Sequence, residues 1–446
     1  MSPLHHSQLV RSLAFAPALA LVIFIVLSCC GCQESPEVQF RFNSVEWLRQ
    51  ERLNDREFDD SYKGEIGNIS TALFGTPNEP YFPFIYEEDD DPAREVIKLE
   101  NLKLAAGPVK SDRAGEPAGL YREHCVQCHG ITGDGRGPTA EFLNPYPRDF
   151  RLGKFKFKST PLRRPPTNED LTNVIRHGIP GTAMPAFQTL DPKEVEALVD
   201  YVKYLSIRGQ LERKLLREVD SLDGDPLLDK ELIASSEGED AESNREQYEE
   251  QLATIVEEFL IEEIVERWAG VDRKVTEVPV PPEAMNDGSS DYKALVESGR
   301  QLFRGKANCI QCHGPTGLGD GQNKNYDDWT NDWLKTAGVN PDVRESYQHF
   351  LDAGAFKPRY ISPRNLQLGV FRGGNRPEDI YRRIANGIEG TPMPSAPTLA
   401  SEEIWALVAF VRQLRFESVN DSESKIAHHS VQEPAQDSPS QREELR

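Results

Sequence analysis

The chain has 446 residues, enough for two or three folded units and their connections. Its formal net charge is −22, and residues 209–291 hold 24 acidic against 8 basic side chains, whereas residues 112–208 hold 12 against 14. Because phosphate binding needs a basic surface, this balance argues against a nucleic-acid partner.

The first 32 residues have the pattern of an export signal. After Arg11 comes an uncharged apolar run over 13–27, shorter than the ~20 residues that a membrane-spanning helix needs. The VLSC sequence at 26–29 resembles the lipobox of bacterial lipoproteins, which implies acylation of Cys29, with Cys32 as the alternative. An uncleaved N-terminal anchor is the other interpretation. Both predict an exported protein held at the membrane on its periplasmic side.

Residues 33–111 form an extension in which we find no motif, and two related segments follow it. CVQCHG begins at Cys125 and CIQCHG begins at Cys309, 184 residues later (309 − 125). Three longer matches lie at offsets of 216, 209 and 209 residues: PRDFRLGKF (147–155) with PRNLQLGVF (363–371), HGIPGTAMP (177–185) with NGIEGTPMP (386–394), and EVEALVDYVKYL (194–205) with EIWALVAFVRQL (403–414). The chain therefore contains two homologous modules, predicted at 112–208 and 292–415.

Each module is predicted to consist of short helices and loops, which makes the fold class mainly α. Apolar residues in the closing segments 194–205 and 403–414 recur at helical spacing, and helices also lead into each cysteine pair. Asp191, Pro192 and Glu194 have the arrangement of a helix N-terminal cap. Modules with so much loop have a thin core, which fits a fold completed by a large apolar cofactor.

Three kinds of site use closely spaced cysteines: zinc, a redox dithiol and covalently attached haem. Zinc typically needs two close pairs in one module, and each module here has one pair. A thioredoxin-like dithiol needs a βαβ setting, which the predicted elements lack. The CxxCH pattern is that of c-type haem attachment, in which two thiols bond the vinyl groups and the histidine becomes an axial ligand. Two copies in an exported chain, each followed by a matching Met-Pro, predict haem.

With these motifs the chain resembles the class I cytochromes c over about 112–208 and 292–415. The resemblance implies two such modules packed round two covalently bound haem c groups. The implied thioether sites are Cys125 and Cys128 in the first module and Cys309 and Cys312 in the second. The implied axial ligands are His129 with Met184, and His313 with Met393.

The resemblance also implies residues that support the ligands. Pro138, nine residues after His129, is expected to accept the proximal imidazole N–H through its carbonyl, a bond that fixes the ring. The second module has no proline at this place. Arg148 and Arg364 occupy equivalent positions, where a guanidinium can hold a haem propionate bidentately; the alternative is that both are surface arginines.

Three remaining segments are expected to be accessory. The linker at 209–291 is predicted to be acidic and helical, with an amphipathic helix from Asn244 to Trp268 that packs across the modules or docks a basic partner. An insertion between Gly321 and Pro363 in the second module covers a haem edge or faces a partner. The tail at 416–446 is predicted to be disordered.

A haem iron held by His and Met has no open position, so it passes electrons but does not bind peroxide. The sequence therefore predicts an electron carrier, not an enzyme: a membrane-attached dihaem c-type cytochrome of a respiratory chain. Its expected redox partners are a membrane quinol-oxidising complex and an exported or membrane oxidase. The PRDF…GKFKF stretch resembles the monohaem cytochrome subunit of alternative complex III, which implies that the chain is a subunit of such a complex. The alternative is a dihaem peroxidase, which would need a vacant or displaceable sixth position.

Overall fold

A computed structural model describes residues 37–83, 92–109, 119–234, 241–285 and 290–429. The chain divides into Met1–Gln39 and Phe40–Arg446, and the fold below is that of the second unit. The predicted export signal and both candidate acylation sites, Cys29 and Cys32, lie outside the described residues. Among the helices of the described residues, none has the length and apolarity needed to cross a membrane.

The fold is mainly α, as predicted. In the described residues the α-helices are Ser44–Asn54, Ser61–Phe74, Pro92–Val96, Leu99–Ala105, Leu120–His124, Val126–His129, Asn168–His177, Pro192–Glu218, Glu231–Ala234, Ala241–Ala253, Glu266–Trp268, Ser290–Arg304, Ile310–His313, Arg344–Asp352, Pro377–Asn386 and Ser401–His429. Two π-helical segments are Thr254–Val265 and Thr330–Leu334. Strands Asn325–Tyr326 and Tyr360–Ile361 pair antiparallel.

Both modules end in the long helices that their sequences predict. The first, Pro192–Glu218, begins with the predicted cap, since the Asp191 N–H donates to Glu194 Oε2 at 3.0 Å. It runs past the predicted module boundary at 208 into the linker. The second, Ser401–His429, includes residues 416–429 of the predicted disordered tail, which are therefore helical here; residues 430–446 lie outside the described residues.

The largest core joins the extension, the first module and the linker. Ile66 and Phe74 of the extension are buried in one cluster with Tyr204 of the closing helix. The helical run of the linker adds Leu260 and Trp268 to the same cluster. The helical run therefore packs on the first module. The end of the linker reaches the second module, where Val278 and Met285 pack against its core, so the linker contacts both modules as the sequence predicted.

The second module has a separate core between its opening helix, Ser290–Arg304, and its closing helix. Val296 and Phe303 of the first helix pack with Val408 and Phe410 of the second. The helices cross so closely at Gly299 that a Cβ there would collide with the Ala406 carbonyl oxygen.

The insertion of the second module docks on the first module. Its buried aromatic residues, Trp333 among them, form a cluster with Tyr146 and Leu152 of the first module and Val45 of the extension. The Arg151 guanidinium lies 5.3 Å from the centre of the Trp333 ring. The insertion, which is part of the second module, thus connects that module to the first.

Candidate functional site

The two CxxCH segments have the same local backbone structure. In the first, the His129 N–H donates to the Cys125 carbonyl at 2.9 Å and the Gly137 N–H to the Cys128 carbonyl at 3.0 Å. In the second, the His313 N–H donates to the Cys309 carbonyl at 2.9 Å and the Gly321 N–H donates to the Cys312 carbonyl at 3.1 Å. These contiguous motifs therefore fold into one turn that presents both thiols and the imidazole together.

The four cysteines of these turns form no disulfide bonds. Burial, with a smaller contribution from Cys128, raises the pKa of Cys125 to about 12. Burial also raises the pKa of Cys309 to about 11. Two partly buried thiols on one turn beside a histidine fit the thioether attachment of a single cofactor.

Both motif histidines are neutral and have one ring nitrogen engaged. His129 Nδ1 lies 3.1 Å from the Arg148 carbonyl oxygen, and His313 Nδ1 lies 3.2 Å from that of Arg364. A proton on Nδ1 donates to this carbonyl, which leaves the Nε2 lone pair for a metal. Burial lowers the pKa of His129 to about 4 and lowers that of His313 as well. Neutral imidazoles in a fixed orientation are the form that ligates iron.

This geometry corrects the prediction for Pro138. The carbonyl acceptor of the His129 ring is that of Arg148, ten residues further along the chain, and Pro138 is exposed. The Phe150 N–H donates to the Gly133 carbonyl at 2.8 Å, which folds the Arg148 segment back onto the histidine turn. The second module uses the equivalent Arg364 carbonyl, so His313 has an acceptor although that module lacks the proline.

The predicted methionines lie in loops with matching hydrogen bonds. Thr182 Oγ1 accepts from the Met184 N–H at 3.1 Å and donates to the Ile179 carbonyl at 2.8 Å. In the second loop Thr391 Oγ1 accepts from the Met393 N–H at 3.2 Å and donates to the Ile388 carbonyl at 2.8 Å. The threonine of the repeated G-T-x-M-P pattern thus holds each loop as a rigid unit, a role that the sequence analysis missed.

The two predicted propionate arginines differ in their partners. Arg148 Nη2 lies 2.8 Å from Asp328 Oδ2 of the insertion, and Lys156 Nζ lies 2.8 Å from Asp328 Oδ1. Burial alone would raise the pKa of Asp328, but these two cations hold it below its usual value. Arg148 is therefore largely buried and already paired with a carboxylate, so it is not a surface arginine.

The equivalent cations of the second module are Arg364 and Arg372 (364 − 148 and 372 − 156 both give 216). Arg364 Nε donates to the Val370 carbonyl at 3.1 Å. Burial, and then the charge of Arg364, lowers the pKa of Arg372, whose Nε is buried without a hydrogen-bond partner. Within the described ranges no carboxylate pairs with either guanidinium. An orphaned buried donor beside a second guanidinium fits an anionic group such as a haem carboxylate.

The donor set therefore fits a c-type haem in each module: two thiols on one turn, a neutral histidine with a fixed tautomer and a methionine in a hydrogen-bonded loop. Elsewhere in the described part of the chain, no group of three or more His, Cys, Asp or Glu side chains is arranged to hold a metal ion. The predicted axial residues lie in separate segments of each module: His129 and His313 end short helices, and Met184 and Met393 lie in loops.

Comparisons with known proteins agree with these two sites. A family model described as cytochrome c oxidase, cbb3-type, subunit III matches residues 112–202, and one described as cytochrome c matches residues 296–415. No curated protein sequence matches the chain. Among solved structures, a chain of the Kuenenia stuttgartiensis reducing HAO-like protein complex Kustc0457/Kustc0458 is 24% identical, with 66% of this chain and 94% of that chain covered. The TM-score of this match is 0.42.

Two cytochrome c-type domains in one chain are the organisation of a dihaem cytochrome c, and this protein has that organisation. Domains of this type bind haem and transfer electrons, so electron transfer is the general function.

Proposed function

We propose that this protein is a membrane-attached dihaem c-type cytochrome that relays electrons in a respiratory chain. Each module would hold one covalent haem through its cysteine pair, with His129 and Met184 or His313 and Met393 as axial ligands. The bound haem supplies the one-electron chemistry. The observation that supports the carrier most is the pair of methionine loops with the same threonine-centred hydrogen bonds. Two methionines held in this way would close both coordination spheres.

The side chains of each site have separate tasks in this proposal. The cysteines fix the cofactor in place, and the carbonyls of Arg148 and Arg364 fix the histidine rings. The Arg364 and Arg372 guanidiniums neutralise propionate carboxylates in the second module. Arg148 does so in the first, sharing its charge with Asp328. Neutralising a propionate raises the reduction potential of a haem, which suits a carrier that accepts electrons from a quinol-oxidising complex.

Haem content and ligation test the proposal directly. After expression with a cytochrome c maturation system, the intact mass should include two haems. Both haems should be low-spin when oxidised, with the weak far-red charge-transfer band of Met-ligated ferric haem. Met184→Ala and Met393→Ala should each remove about half of the intensity of this band, because each removes the ligand of one of the two irons. The iron that loses its methionine should then bind carbon monoxide. A high-spin haem and rapid turnover of hydrogen peroxide in the parent protein would replace the carrier with a dihaem peroxidase.

Attachment and partners need two further measurements. Cys29→Ala should release the protein from membranes; release by Cys32→Ala instead would move the acylated residue to Cys32, and release by neither would favour an uncleaved anchor. Native purification from membranes should recover a quinol-oxidising complex or a terminal oxidase together with this chain. Recovery of the chain without either would contradict its place as a subunit of such a complex.

A further inference from the structure

Each arginine that orients a histidine in its own module reaches the methionine loop of the other module. The Arg148 guanidinium lies over Gly390, where a Cβ would be 3.6 Å from Nη1. Arg364 Nη2 lies so close to Gly181 that a Cβ there would collide with it. Gly181 and Gly390 are equivalent positions (390 − 181 = 209), three residues before each methionine. The contacts are therefore reciprocal, as across the two-fold axis of a symmetric dimer.

Other contacts across the modules strengthen this arrangement. Arg372 Nη2 of the second module donates to the Gly181 carbonyl at 3.3 Å. In the other direction, Lys158 Nζ of the first module lies 2.7 Å from Glu389 Oε2, and both side chains are almost fully buried. Asn386 Nδ2 donates to the Thr160 carbonyl at 3.3 Å. Each methionine loop is thus held partly by its own module and partly by its neighbour.

We propose that Arg148 and Arg364 are cross-module positioning residues: through its carbonyl each orients the histidine of its own module, and through its guanidinium each positions the methionine loop of the other. The inference rests on the proposed function, because it takes Met184 and Met393 as axial ligands. The internal bonds of Thr182 and Thr391 make each loop rigid, so a displacement at the glycine moves the methionine with it. Ligation in one module is therefore coupled to the structure of the other.

The chain is suited to a direct test because it contains only four methionines, Met1, Met184, Met285 and Met393. With methyl-labelled methionine, the reduced holoprotein should give two signals shifted far upfield by the haem ring current, assigned with Met184→Ala and Met393→Ala. Arg364→Gln should move the Met184 signal, and Arg148→Gln should move the Met393 signal. Loss of the guanidinium packing should also raise the carbon monoxide affinity of the affected haem, by no more than about tenfold.

Two kinds of control separate positioning from general damage. Arg344→Gln removes an exposed arginine of the insertion and should move neither signal. Arg148→Lys and Arg364→Lys keep the charge and should restore part of each shift, and they remain informative if a glutamine variant fails to fold. If each arginine moves only the methionine of its own module, the inference is wrong and the carrier proposal stands. If the parent protein shows no upfield methionine signal, the methionine ligation fails, and both proposals fail with it.

Discussion

The two modules repeat one design but have different surroundings. The first is enclosed by the extension, the linker and the insertion, so that Leu152 is only 8% exposed. Its counterpart in the second module, Leu368 (368 − 152 = 216), is 64% exposed. The difference extends to charge, because Arg148 and Lys156 share the Asp328 carboxylate whereas the equivalent Arg364 and Arg372 have no carboxylate partner among the described residues. Duplication has preserved the residues around the cofactor, and the added segments have made the two environments unequal.

Removal of the cysteines proposed to attach haem should have the largest effect and should differ between the modules. Cys125→Ser with Cys128→Ser, and Cys309→Ser with Cys312→Ser, should each lower the haem content by one of two. The second module should also lose its fold, because its core is built mainly from its own two long helices, whereas the first shares a core with the extension and linker. Limited proteolysis with mass spectrometry checks this. Equal resistance of the two modules to protease would contradict the comparison.

The equivalent leucines allow a matched comparison of burial. Leu152→Ala should lower the free energy of unfolding by about 2–5 kcal/mol, because it leaves a cavity beneath the docked insertion. Leu368→Ala should change it by no more than about 0.5 kcal/mol, the range for exposed positions. Urea unfolding of the holoproteins measures both. Similar losses from the two variants would mean that the second module is covered in solution by something that the first lacks.

The lysines of the GKFKF stretch should give smaller, graded effects. Lys156→Gln removes one of the two cations on Asp328 and should cost about 1–3 kcal/mol. Lys154→Gln should cost less than about 1 kcal/mol, because Lys154 is more exposed where it pairs with Asp332 at 2.6 Å. Urea unfolding at neutral pH ranks the two variants. A larger loss from Lys154 than from Lys156 would contradict the importance of the shared carboxylate.

The same pair gives a pH dependence with a definite sign. Arg148 and Lys156 outweigh burial and hold the folded-state pKa of Asp328 below its usual value of 3.8. Its contribution to stability is therefore present above that value and is lost as the pH falls through the folded-state pKa. Without Lys156 the pKa of Asp328 rises, so Lys156→Gln should begin acid unfolding at a higher pH than the parent protein.

Local patterns predicted the parts of this protein that depend on contiguous residues. The CxxCH turns, the closing helices and the Asp191 cap need only neighbours in sequence, and they lie where the sequence placed them. The docking of Trp333 beside Arg151 joins residues far apart in the chain, and no local pattern encodes it. The role of Arg372 did carry a signal, since it aligns with Lys156 at the same offset as the two propionate arginines. The predicted role of Pro138 was wrong because it assumed an acceptor close to His129 in sequence. The actual acceptor, the Arg148 carbonyl, reaches His129 only because the chain folds back on itself.

Pro138 therefore gives the last and smallest test of the comparison. The second module has Gln322 at the equivalent place (322 − 138 = 184) and still orients His313 through the Arg364 carbonyl. Pro138→Gln makes the first module like the second at an exposed position, so the free energy of unfolding should fall by no more than about 1 kcal/mol, the usual effect of losing a compatible proline. The reduction potential of the haem in the first module should be unchanged, because the bond to His129 that tunes it comes from Arg148. A lowered potential in this variant, with the second haem unaffected, would show that the backbone conformation at Pro138 also tunes the first haem.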